Sequence, residues 1–497
     1  MSGCLYLGID IGTSSSKGVV VRAGGEVVAA AQRPHGLSLP QPGWAEHDAE
    51  GVWWTDFAEL CRNLLGQVDR AAIAAVGVSG IGPTVLPASA TSEPLRPAIL
   101  YGIDTRATAE IDDLTRRYGA DQILQRGGST LTTQAVGPKL LWLRRHEPEV
   151  WVKTRRLFMC NSYLVHRLTG EYILDHHSAS QSDPLYELAT NTWIADWWRD
   201  IAPGVEQPRL VWPGEVAGHV TADASRALGL LAGTPVVAGT IDAWSEAVSV
   251  GVKRPGDLML MYGSTMFFVD VTASAVRDVR LWSTCGCFPQ TTTLAAGLAT
   301  SGSLTGWLQS IVGGLSFEQL THEAAAVPPA SEGLVVLPYF AGERTPIHDP
   351  DARGLIIGLT LRHGRGHLYR ALLEGTAYAV RHNMEVLTES APPQRVVAVG
   401  GGTAGDLWMQ IVSDVAGLLQ EVPRVTVGAS FGDAFLAAVG VGAARVEDEW
   451  NPPARVIEPD ETTAPTYDEL YRVFRALYPA AREQMHELAR VQRGGDG

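Results

Sequence analysis

The chain has 497 residues, which is enough for two or three domains with sizeable cores. Its formal net charge of −15 argues against nucleic acid or an anionic membrane as the main partner. Glycines and a proline interrupt the most apolar segment, residues 71–88, so we expect no membrane-spanning helix. Five scattered cysteines and the lack of an export signal at the N-terminus favour a cytoplasmic protein.

The first thirty residues predict three short strands, at residues 4–9, 17–22 and 27–31. The turn between the first two strands contains Gly12, Thr13 and Ser14. Because this turn lacks bulky side chains, its backbone N–H groups and hydroxyls can approach a phosphate chain closely. The turn is therefore a candidate phosphate-binding hairpin.

Asp10 precedes this turn and indicates what kind of phosphate site it would be. A bare carboxylate repels a triphosphate unless a divalent cation lies between them, and Mg²⁺ binds one or two carboxylates together with waters and phosphate oxygens. Asp10 is thus a candidate for a metal site, and Lys17 can neutralise charge on the outer phosphates. The alternative is an ordinary hairpin with an exposed acid and an exposed lysine.

Helical and strand patterns alternate after the hairpin, which favours an α/β domain with a mixed sheet. The pattern predicts helices over residues 51–65, 108–124 and 138–145 and a buried strand over residues 73–78. Asp104 and Arg106 lie two residues apart in this part of the chain. In an extended segment both side chains point to one face and can bind sugar hydroxyls, whereas an internal ion pair is the alternative.

Asp242 follows a predicted strand at residues 235–238 and precedes a helical pattern. An aspartate in this position commonly caps a helix. A carboxylate at a strand end can also act as a general base that accepts the proton of a hydroxyl attacking a γ-phosphate. Both interpretations remain open from the local sequence.

The strand–turn–strand pattern restarts near residue 251, after a junction at residues 253–256. The second hairpin turn consists of Gly263, Ser264 and Thr265. Two such turns, one in each half, suggest a nucleotide clamped between paired domains. Further on, the pattern predicts a charged, proline-rich loop at residues 342–354 and helices over residues 367–387, 404–418 and 467–490.

Gly400, Gly402 and Gly405 match the spacing of a dinucleotide-binding fingerprint, and Glu421 follows about twenty residues later. An NAD-dependent oxidoreductase is therefore an alternative function. An oxidoreductase, however, would not need the two hydroxyl-rich hairpins. A glycine-rich strand-to-helix turn can equally contact an adenosine group. An actin-like ATPase is a second alternative, because it would share the two hairpins.

The chain resembles the FGGY family of carbohydrate kinases over nearly its whole length. The resemblance rests on motifs that occur in family order and at family spacing: residues 10–17, 42–46, 239–242, 263–265, 342–346 and 400–402 through 414. It implies an α/β protein of two actin-like (ribonuclease H-like) domains, residues 1–251 and 252–497, flanking a deep catalytic cleft. It also implies ATP and Mg²⁺ as cosubstrates and phosphoryl transfer to a hydroxyl of a sugar or polyol.

The resemblance assigns a role to each matching position. It makes Asp242 the catalytic base, places Asp10 beside the metal, and puts Asp104 and Arg106 beside the sugar. The positions that it assigns to ATP binding are Gly12, Thr13, Ser14, Lys17, Gly263, Ser264, Thr265, Gly302, Gly401 and Gly402.

Two departures from the family pattern bear on the substrate. Gly82 and Pro83 stand where xylulokinases usually carry Met-His, so polyol recognition must rely on other groups, with Gln134 as one candidate. The order Gly-Ser-Thr at the second turn is the milder change, because Ser264 and Thr265 both keep hydroxyls. We expect a ketose such as a pentulose, with gluconate, fuculose or an erythritol-like polyol as alternatives, and a homodimer as the assembly.

Overall fold

The computed structural model describes residues 3–389 and 391–494 as a mixed α/β chain. It separates into two compact units, each of which is assembled from three separate segments of the sequence. The first unit takes in the chain up to Pro255, together with Val271–Thr293 and Val427–Pro452. The second comprises Gly256–Asp270, Leu294–Thr426 and the chain from Pro453 onwards. The predicted boundary between residues 251 and 252 stays a prediction.

The described part of the N-terminal half contains fifteen strands and ten α-helices. A π-helical turn, Ala49–Trp54, lies directly before the first of these helices. The strands are β1 (Leu5–Ile11), β2 (Ser15–Arg22), β3 (Val27–Pro34), β4 (Glu46–His47), β5 (Ile73–Gly80), β6 (Leu86–Ala88), β7 (Ala98–Ile99), β8 (Arg156–Phe158), β9 (Ile173–Asp175), β10 (Tyr186–Glu187), β11 (Thr192–Trp193), β12 (Arg209–Val211), β13 (Val216–His219), β14 (Pro235–Val237) and β15 (Thr240–Ile241). The helices are α1 (Thr55–Leu65), α2 (Thr108–Tyr118), α3 (Ala120–Gly127), α4 (Val136–His146), α5 (Pro148–Trp151), α6 (Cys160–Thr169), α7 (His176–Ser180), α8 (Ala195–Ile201), α9 (Ala222–Leu228) and α10 (Asp242–Ser249).

The C-terminal half continues the same alternation. Its strands are β16 (Asp257–Tyr262), β17 (Met266–Thr272), β18 (Trp282–Cys285), β19 (Thr292–Leu298), β20 (Val335–Leu337), β21 (Leu355–Ile357), β22 (Arg395–Val399), β23 (Gln420–Pro423) and β24 (Pro453–Ile457). Its helices are α11 (Gly302–Ile311), α12 (Phe317–Ala325), α13 (Arg365–Leu387), α14 (Asp406–Ala416), α15 (Ala429–Gly440) and α16 (Ala464–Gly494).

Two seven-stranded sheets share a local arrangement. The first sheet runs β13-β14-β5-β1-β2-β3, with β15 also paired to β5, and the second runs β18-β19-β17-β16-β22-β23-β24. In the first sheet, β1 and β2 form an antiparallel hairpin, and β1 also pairs in parallel with β5. In the second sheet, β16 and β17 form an antiparallel hairpin, and β16 also pairs in parallel with β22. The two halves are therefore similar in topology, as the restart of the sequence pattern predicts.

The centre of the first sheet is buried on both faces, because every residue of β1 is buried and all but one residue of β5 are buried. Helix α15 packs against β1 and β5 at very short range. A Cβ atom on Gly8 would lie 1.9 Å from the carbonyl oxygen of Ser430, and one on Gly77 would lie 2.0 Å from that of Asp433. Glycine at both positions therefore lets the helix backbone reach the sheet.

The search of the described residues for helices long and apolar enough to cross a membrane finds none.

Candidate active site

The first glycine and hydroxyl turn joins β1 to β2, and it places Asp10 directly opposite Lys17 in the antiparallel pair. A buried histidine supports the turn from below. Nδ1 of His35 lies 2.8 Å from Oδ2 of Asp56, and Nε2 lies 3.1 Å from the carbonyl oxygen of Gly12. Both ring nitrogens thus face oxygen atoms, and the ring links Asp56 to the backbone of the turn.

The turn residues themselves are accessible to different degrees. Thr13 is half-buried, with its hydroxyl 3.3 Å from the hydroxyl of Tyr101, and Ser14 is exposed. The N–H of Gly12 donates to the carbonyl oxygen of Ser15 at 3.1 Å, which closes the turn. The structure thus places all four predicted phosphate-binding residues of this hairpin, Gly12 to Ser14 and Lys17, around one tight turn.

Asp10 ends up buried beside this turn, with 8% of its surface exposed. The hydroxyl of Ser79, on β5, lies 2.9 Å from Oδ1 of Asp10. Burial raises the pKa of Asp10 to about 6, although the hydrogen bond from Ser79 and the charges of Lys17 and His35 act in the opposite direction. The carboxyl group therefore lies in an environment that a cation would stabilise in its ionised form.

Asp242 is the first residue of α10, and the preceding Ile241 occupies the N-cap position without a side-chain cap. Oδ1 of Asp242 accepts a hydrogen bond from the amide of Ala243 at 2.7 Å. Burial raises the pKa of Asp242 well above its usual range, and the charges of Asp10 and Glu246 raise it further. The carboxyl group therefore holds a proton more readily than an exposed aspartate does.

Glu246 lies one helical turn after Asp242, and sequence reasoning missed it. Burial and the charge of Asp10 raise the pKa of Glu246 to about 7, whereas Lys17 lowers it. Three acids of the first unit thus disfavour one another's ionisation. Such a group of perturbed acids is typical of a catalytic site.

The residues present fit a Mg²⁺ ion that arrives with a nucleotide. Within residues 3–389 and 391–494, no group of three or more His, Cys, Asp or Glu side chains is placed to hold a metal by itself. In phosphoryl-transfer sites Mg²⁺ needs only one or two protein carboxylates, because waters and phosphate oxygens complete its coordination. Asp10 supplies one such carboxylate next to a turn rich in hydrogen-bond donors.

On the predicted sugar side, the side chains of Asp104 and Arg106 are fully buried. Nη2 of Arg106 lies 2.7 Å from Oδ2 of Asp104, and Nη1 lies 2.8 Å from Oε1 of Glu46. The guanidinium stacks 3.9 Å above the ring of Trp44, and Asp104 also accepts a hydrogen bond from the amide of Ala45 at 2.7 Å. These contacts form an internal ion pair, and a sugar-binding role for either residue stays a prediction.

The other three predicted sugar residues lie on two loops. Oε1 of Gln134 accepts a hydrogen bond from the amide of Gly102 at 3.2 Å, so the glutamine is tied to the segment that carries Asp104. Gly82 and the buried Pro83 follow β5 directly. A Cβ atom on Gly82 would lie 2.6 Å from Cγ1 of Ile241, the residue before Asp242. Gly82 is thus adjacent to the start of α10.

The second glycine and hydroxyl turn joins β16 to β17 and is braced by the start of α11. The N–H of Gly263 donates to the carbonyl oxygen of Thr265 at 3.0 Å. The amides of Gly302 and Ser303 donate to the carbonyl oxygens of Gly263 and Ser264 at 3.0 and 3.1 Å. A Cβ atom on Gly302 would lie 2.5 Å from the Gly263 oxygen, so only glycine permits this approach.

A cavity of about 850 Å³ opens beside this turn, entirely within the second unit. Its polar lining includes five of the predicted nucleotide-binding residues, Gly263, Ser264, Gly302, Gly401 and Gly402. Its apolar lining includes Tyr262 and Trp408, whose rings meet edge to face at 5.3 Å. The size and the mixture of a flat aromatic wall with a donor-rich turn suit a nucleotide.

The glycines that follow β22 pack closely against Tyr262 and Trp408, two residues that line this cavity. Gly400 has φ +93°, and a Cβ atom there would lie 2.6 Å from the carbonyl oxygen of Tyr262. A Cβ atom on Gly402 would lie 2.8 Å from the ring of Trp408. These close approaches account for the first two glycines of the spacing that is also typical of a dinucleotide fingerprint, whereas no atom lies within 4 Å of the Cβ position at Gly405.

Residues 5–249 match the N-terminal domain of the FGGY family of carbohydrate kinases, and residues 258–441 match its C-terminal domain. The chain is similar to the xylulose kinase of Escherichia coli K12, with 31% identity over 491 residues, 95% of this chain and 98% of that protein. It is 32% identical over 456 residues to the glycerol kinase of Nocardia farcinica, covering 87% of this chain and 89% of that protein. The crystal structure of the xylulose kinase from Rhodospirillum rubrum superposes with a TM-score of 0.90 at 34% identity, covering 97% and 100% of the two chains.

Proposed function

Because this chain belongs to the FGGY family of carbohydrate kinases, we propose that it transfers the γ-phosphoryl group of ATP to a hydroxyl of a pentulose, with Asp242 as general base. Membership of the family makes the protein an ATP-dependent carbohydrate kinase with an alcohol-group acceptor and a mixed α/β two-domain fold. It also excludes the NAD-dependent oxidoreductase and the actin-like ATPase. The pentulose and the roles of individual residues are the parts that we propose.

The position of Asp242 is the single observation that best supports the chemistry. Its carboxyl group stands at the start of α10 with a raised pKa, beside other acids and next to the loop at Gly82. In the proposed step the sugar oxygen bonds to the γ-phosphorus while the bond from that phosphorus to the bridging oxygen breaks. The hydroxyl proton passes to Asp242, and ADP leaves with the electron pair.

We assign the phosphates to the two glycine and hydroxyl turns and the nucleoside to the cavity of the second unit. Lys17 adds positive charge at the first turn, where phosphate charge must be balanced. Mg²⁺, when bound, neutralises charge on the transferred phosphoryl group, and Asp10 is the residue that would hold it. Asp10→Ala should therefore raise the Mg²⁺ concentration needed for half-maximal turnover, and an unchanged Mg²⁺ titration would remove Asp10 from the metal site.

The choice of a pentulose rests on similarity to the two proteins named as xylulose kinases, which cover nearly the whole chain. Against glycerol, the loop after β5 offers Gly82 and Pro83, which contribute no side-chain hydrogen bond to a small polyol. Kinases of gluconate, fuculose or an erythritol-like polyol remain the alternative acceptor classes. A homodimer and a cytoplasmic location also stay predictions, the first testable by sedimentation equilibrium.

The test is a panel of pentuloses, hexuloses, alditols and aldonates, with ADP release measured by a coupled assay and the product examined by ³¹P nuclear magnetic resonance. We expect kcat/KM to be highest for a pentulose and the product to contain one phosphate ester. A highest kcat/KM for an aldonate, a hexulose or an alditol would move the acceptor to that class. ADP release that is independent of any added sugar would contradict the proposal as a whole.

A further inference from the structure

Asp433 is a buried acid that the mechanism above does not use. It lies in α15, in the segment that returns to the first unit, and none of its surface is exposed. Its Oδ2 lies 2.7 Å from the hydroxyl oxygen of Ser79, 354 residues earlier in the chain, and its Oδ1 lies 2.7 Å from that of Ser245. An acid with two hydroxyl partners in a fully buried position needs a reason, because burial without compensation is costly.

Each of the two serines leads to a group of the proposed site. Ser79 also lies 2.9 Å from Oδ1 of Asp10. Ser245 is in α10, one turn after the position where the helix begins with Asp242. The carboxyl group of Asp433 therefore connects the metal-side acid to the helix that carries the proposed base.

The Ser79 hydroxyl lies within hydrogen-bond distance of two carboxyl groups, those of Asp10 and Asp433. The two acids are therefore joined through a single hydroxyl. The Ser245 hydroxyl lies 2.7 Å from Oδ1 of Asp433 and 3.0 Å from the carbonyl oxygen of Ala429, so it connects the acid to the backbone at the start of α15. Burial raises the pKa of Asp433 well above its usual range.

The backbone around Asp433 leaves it little freedom to move. On one side of α15, the carbonyl oxygen of Asp433 contacts Gly77 of β5. On the other side, Gly432 contacts α10, and a Cβ atom on Gly432 would lie 2.0 Å from the carbonyl oxygen of Ser245. Helix α15 is thus pressed against both β5 and α10 by main-chain contacts. Interiors packed this closely transmit displacements rather than absorb them.

We propose that Asp433 is a positioning residue for phosphoryl transfer, which holds Asp10 through Ser79 and the helix of Asp242 through Ser245. The inference rests on the proposed function. It adds a hydrogen-bonded connection from the distant segment at α15 to Asp10 and to the helix that begins with Asp242.

The first test compares Asp433→Asn with Asp433→Ala. Asparagine keeps a donor for Ser79 and an acceptor for Ser245, so we expect kcat within about threefold of the wild type. Alanine removes both bonds, and we expect kcat to fall by about 10–100-fold while the KM for ATP changes less than about twofold, since misplacement of reacting groups by about 1 Å costs that much. Glu374→Ala is the matched control, because Glu374 is a buried acid of the second unit that also accepts from a serine hydroxyl, Ser331 at 2.7 Å.

If Asp433→Ala does not fold, Ser79→Ala and Ser245→Ala remove one hydroxyl each and should lower kcat in the same way. The double variant Ser79→Ala with Asp433→Asn should be no slower than Ser79→Ala alone, since both residues act through one connection. A kcat above about half the wild-type value in Asp433→Ala, or an Asp433→Asn as slow as Asp433→Ala, overturns the proposal.

Amide hydrogen exchange gives a readout that does not depend on turnover. Residues 242–249 of α10 should exchange faster in Asp433→Ala and Ser245→Ala than in Asp433→Asn, with no change in α11. Unaltered exchange in α10 contradicts the proposed anchoring of this helix. A wild-type protein that phosphorylates no sugar would instead refute the proposed function, and the exchange experiment would still decide whether Asp433 anchors α10.

Discussion

At the residue scale, the buried acids of the first unit contribute to the dependence of stability on pH. The pKa of Glu246 is raised from its usual value to about 7, chiefly by burial. A group whose pKa is raised on folding binds its proton more tightly in the folded state. It therefore contributes stability below the pKa of the unfolded chain, and this contribution is lost as the pH rises through about 7.

Glu246→Gln should consequently stabilise the ligand-free protein at pH 8 and leave it unchanged near pH 4.5. The expected gain is about 1–3 kcal/mol, since one pKa unit corresponds to about 1.4 kcal/mol and partial solvent access reduces the effect. Urea unfolding at both pH values measures it. Glu469→Gln, at an exposed position on α16, is the control and should show no pH-dependent change. A gain of equal size at both pH values would attribute the effect to packing rather than to charge.

Gly82 and Pro83 give a second prediction at this scale. Replacing them with Met and His, as in the usual xylulokinase pattern, should change the ranking of sugars by kcat/KM by about 1–3 kcal/mol. We also expect kcat to fall for every sugar, because a Cβ atom at Gly82 would displace Ile241, the residue that precedes Asp242.

Gly82→Ala is the matched control for that common loss. It introduces the Cβ contact without a polar group, so it should lower kcat for all sugars and leave their ranking unchanged. If the double variant loses activity in equal proportion for every sugar, the pair has no role in specificity.

At the scale of elements, the packing of α15 on the first sheet depends on glycine. Gly77→Ala should destabilise the protein by about 1–3 kcal/mol, since its Cβ would lie 2.0 Å from a backbone oxygen that cannot rotate away. It should also lower kcat, because the displaced backbone belongs to Asp433. Gly36→Ala is the control: no atom lies within 4 Å of its Cβ position, and its unfolding free energy should change by less than about 0.5 kcal/mol. Equal stability of the two variants would contradict the close contact.

Elements with a strong local pattern were predictable from the sequence. The hairpin at Asp10, the helix predicted over residues 367–387 and the strand predicted over residues 73–78 correspond to β1–β2, α13 and β5, with ends that differ by a few residues. Residues 108–124 were predicted as one helix, but Gly119 at φ +82° divides them into α2 and α3. A glycine with positive φ ends a helix, and the apolar periodicity on either side conceals the break.

The candidate site was predictable only where its residues are neighbours in sequence. The two turns and Asp242 carry local signals: glycine, hydroxyls, and an acid between a strand and a helix. The bond between Ser79 and Asp433 joins residues 354 positions apart and leaves no local pattern. His35 and Asp56 were missed for the same reason, and the pairing of Lys17 with Asp10 across the hairpin is also a finding of the structure.

At the scale of the whole molecule, the division of the chain into units does not follow the sequence. Val271–Thr293 and Val427–Pro452 lie in the first unit, although both follow the junction predicted at residues 253–256. A local sequence pattern predicts where a helix or strand forms but not which other element it packs against, since that pairing depends on contacts between distant residues. The first unit holds Asp10 and Asp242, and the second holds the cavity lined by Gly263 and Gly402.

Asp242 and the cavity lie in different units, so we expect a substitution of Asp242 to change turnover without changing the binding of ADP in the cavity. The role of Asp242 is tested most directly by the turnover of Asp242→Asn with ATP and the best sugar, measured beside the dissociation constant for ADP from calorimetry. We expect kcat to fall by about 10²–10⁴-fold, the usual effect of losing a general base, with ADP affinity within about twofold of the wild type. A variant that keeps more than about a third of wild-type turnover would contradict the assignment of Asp242 as the base.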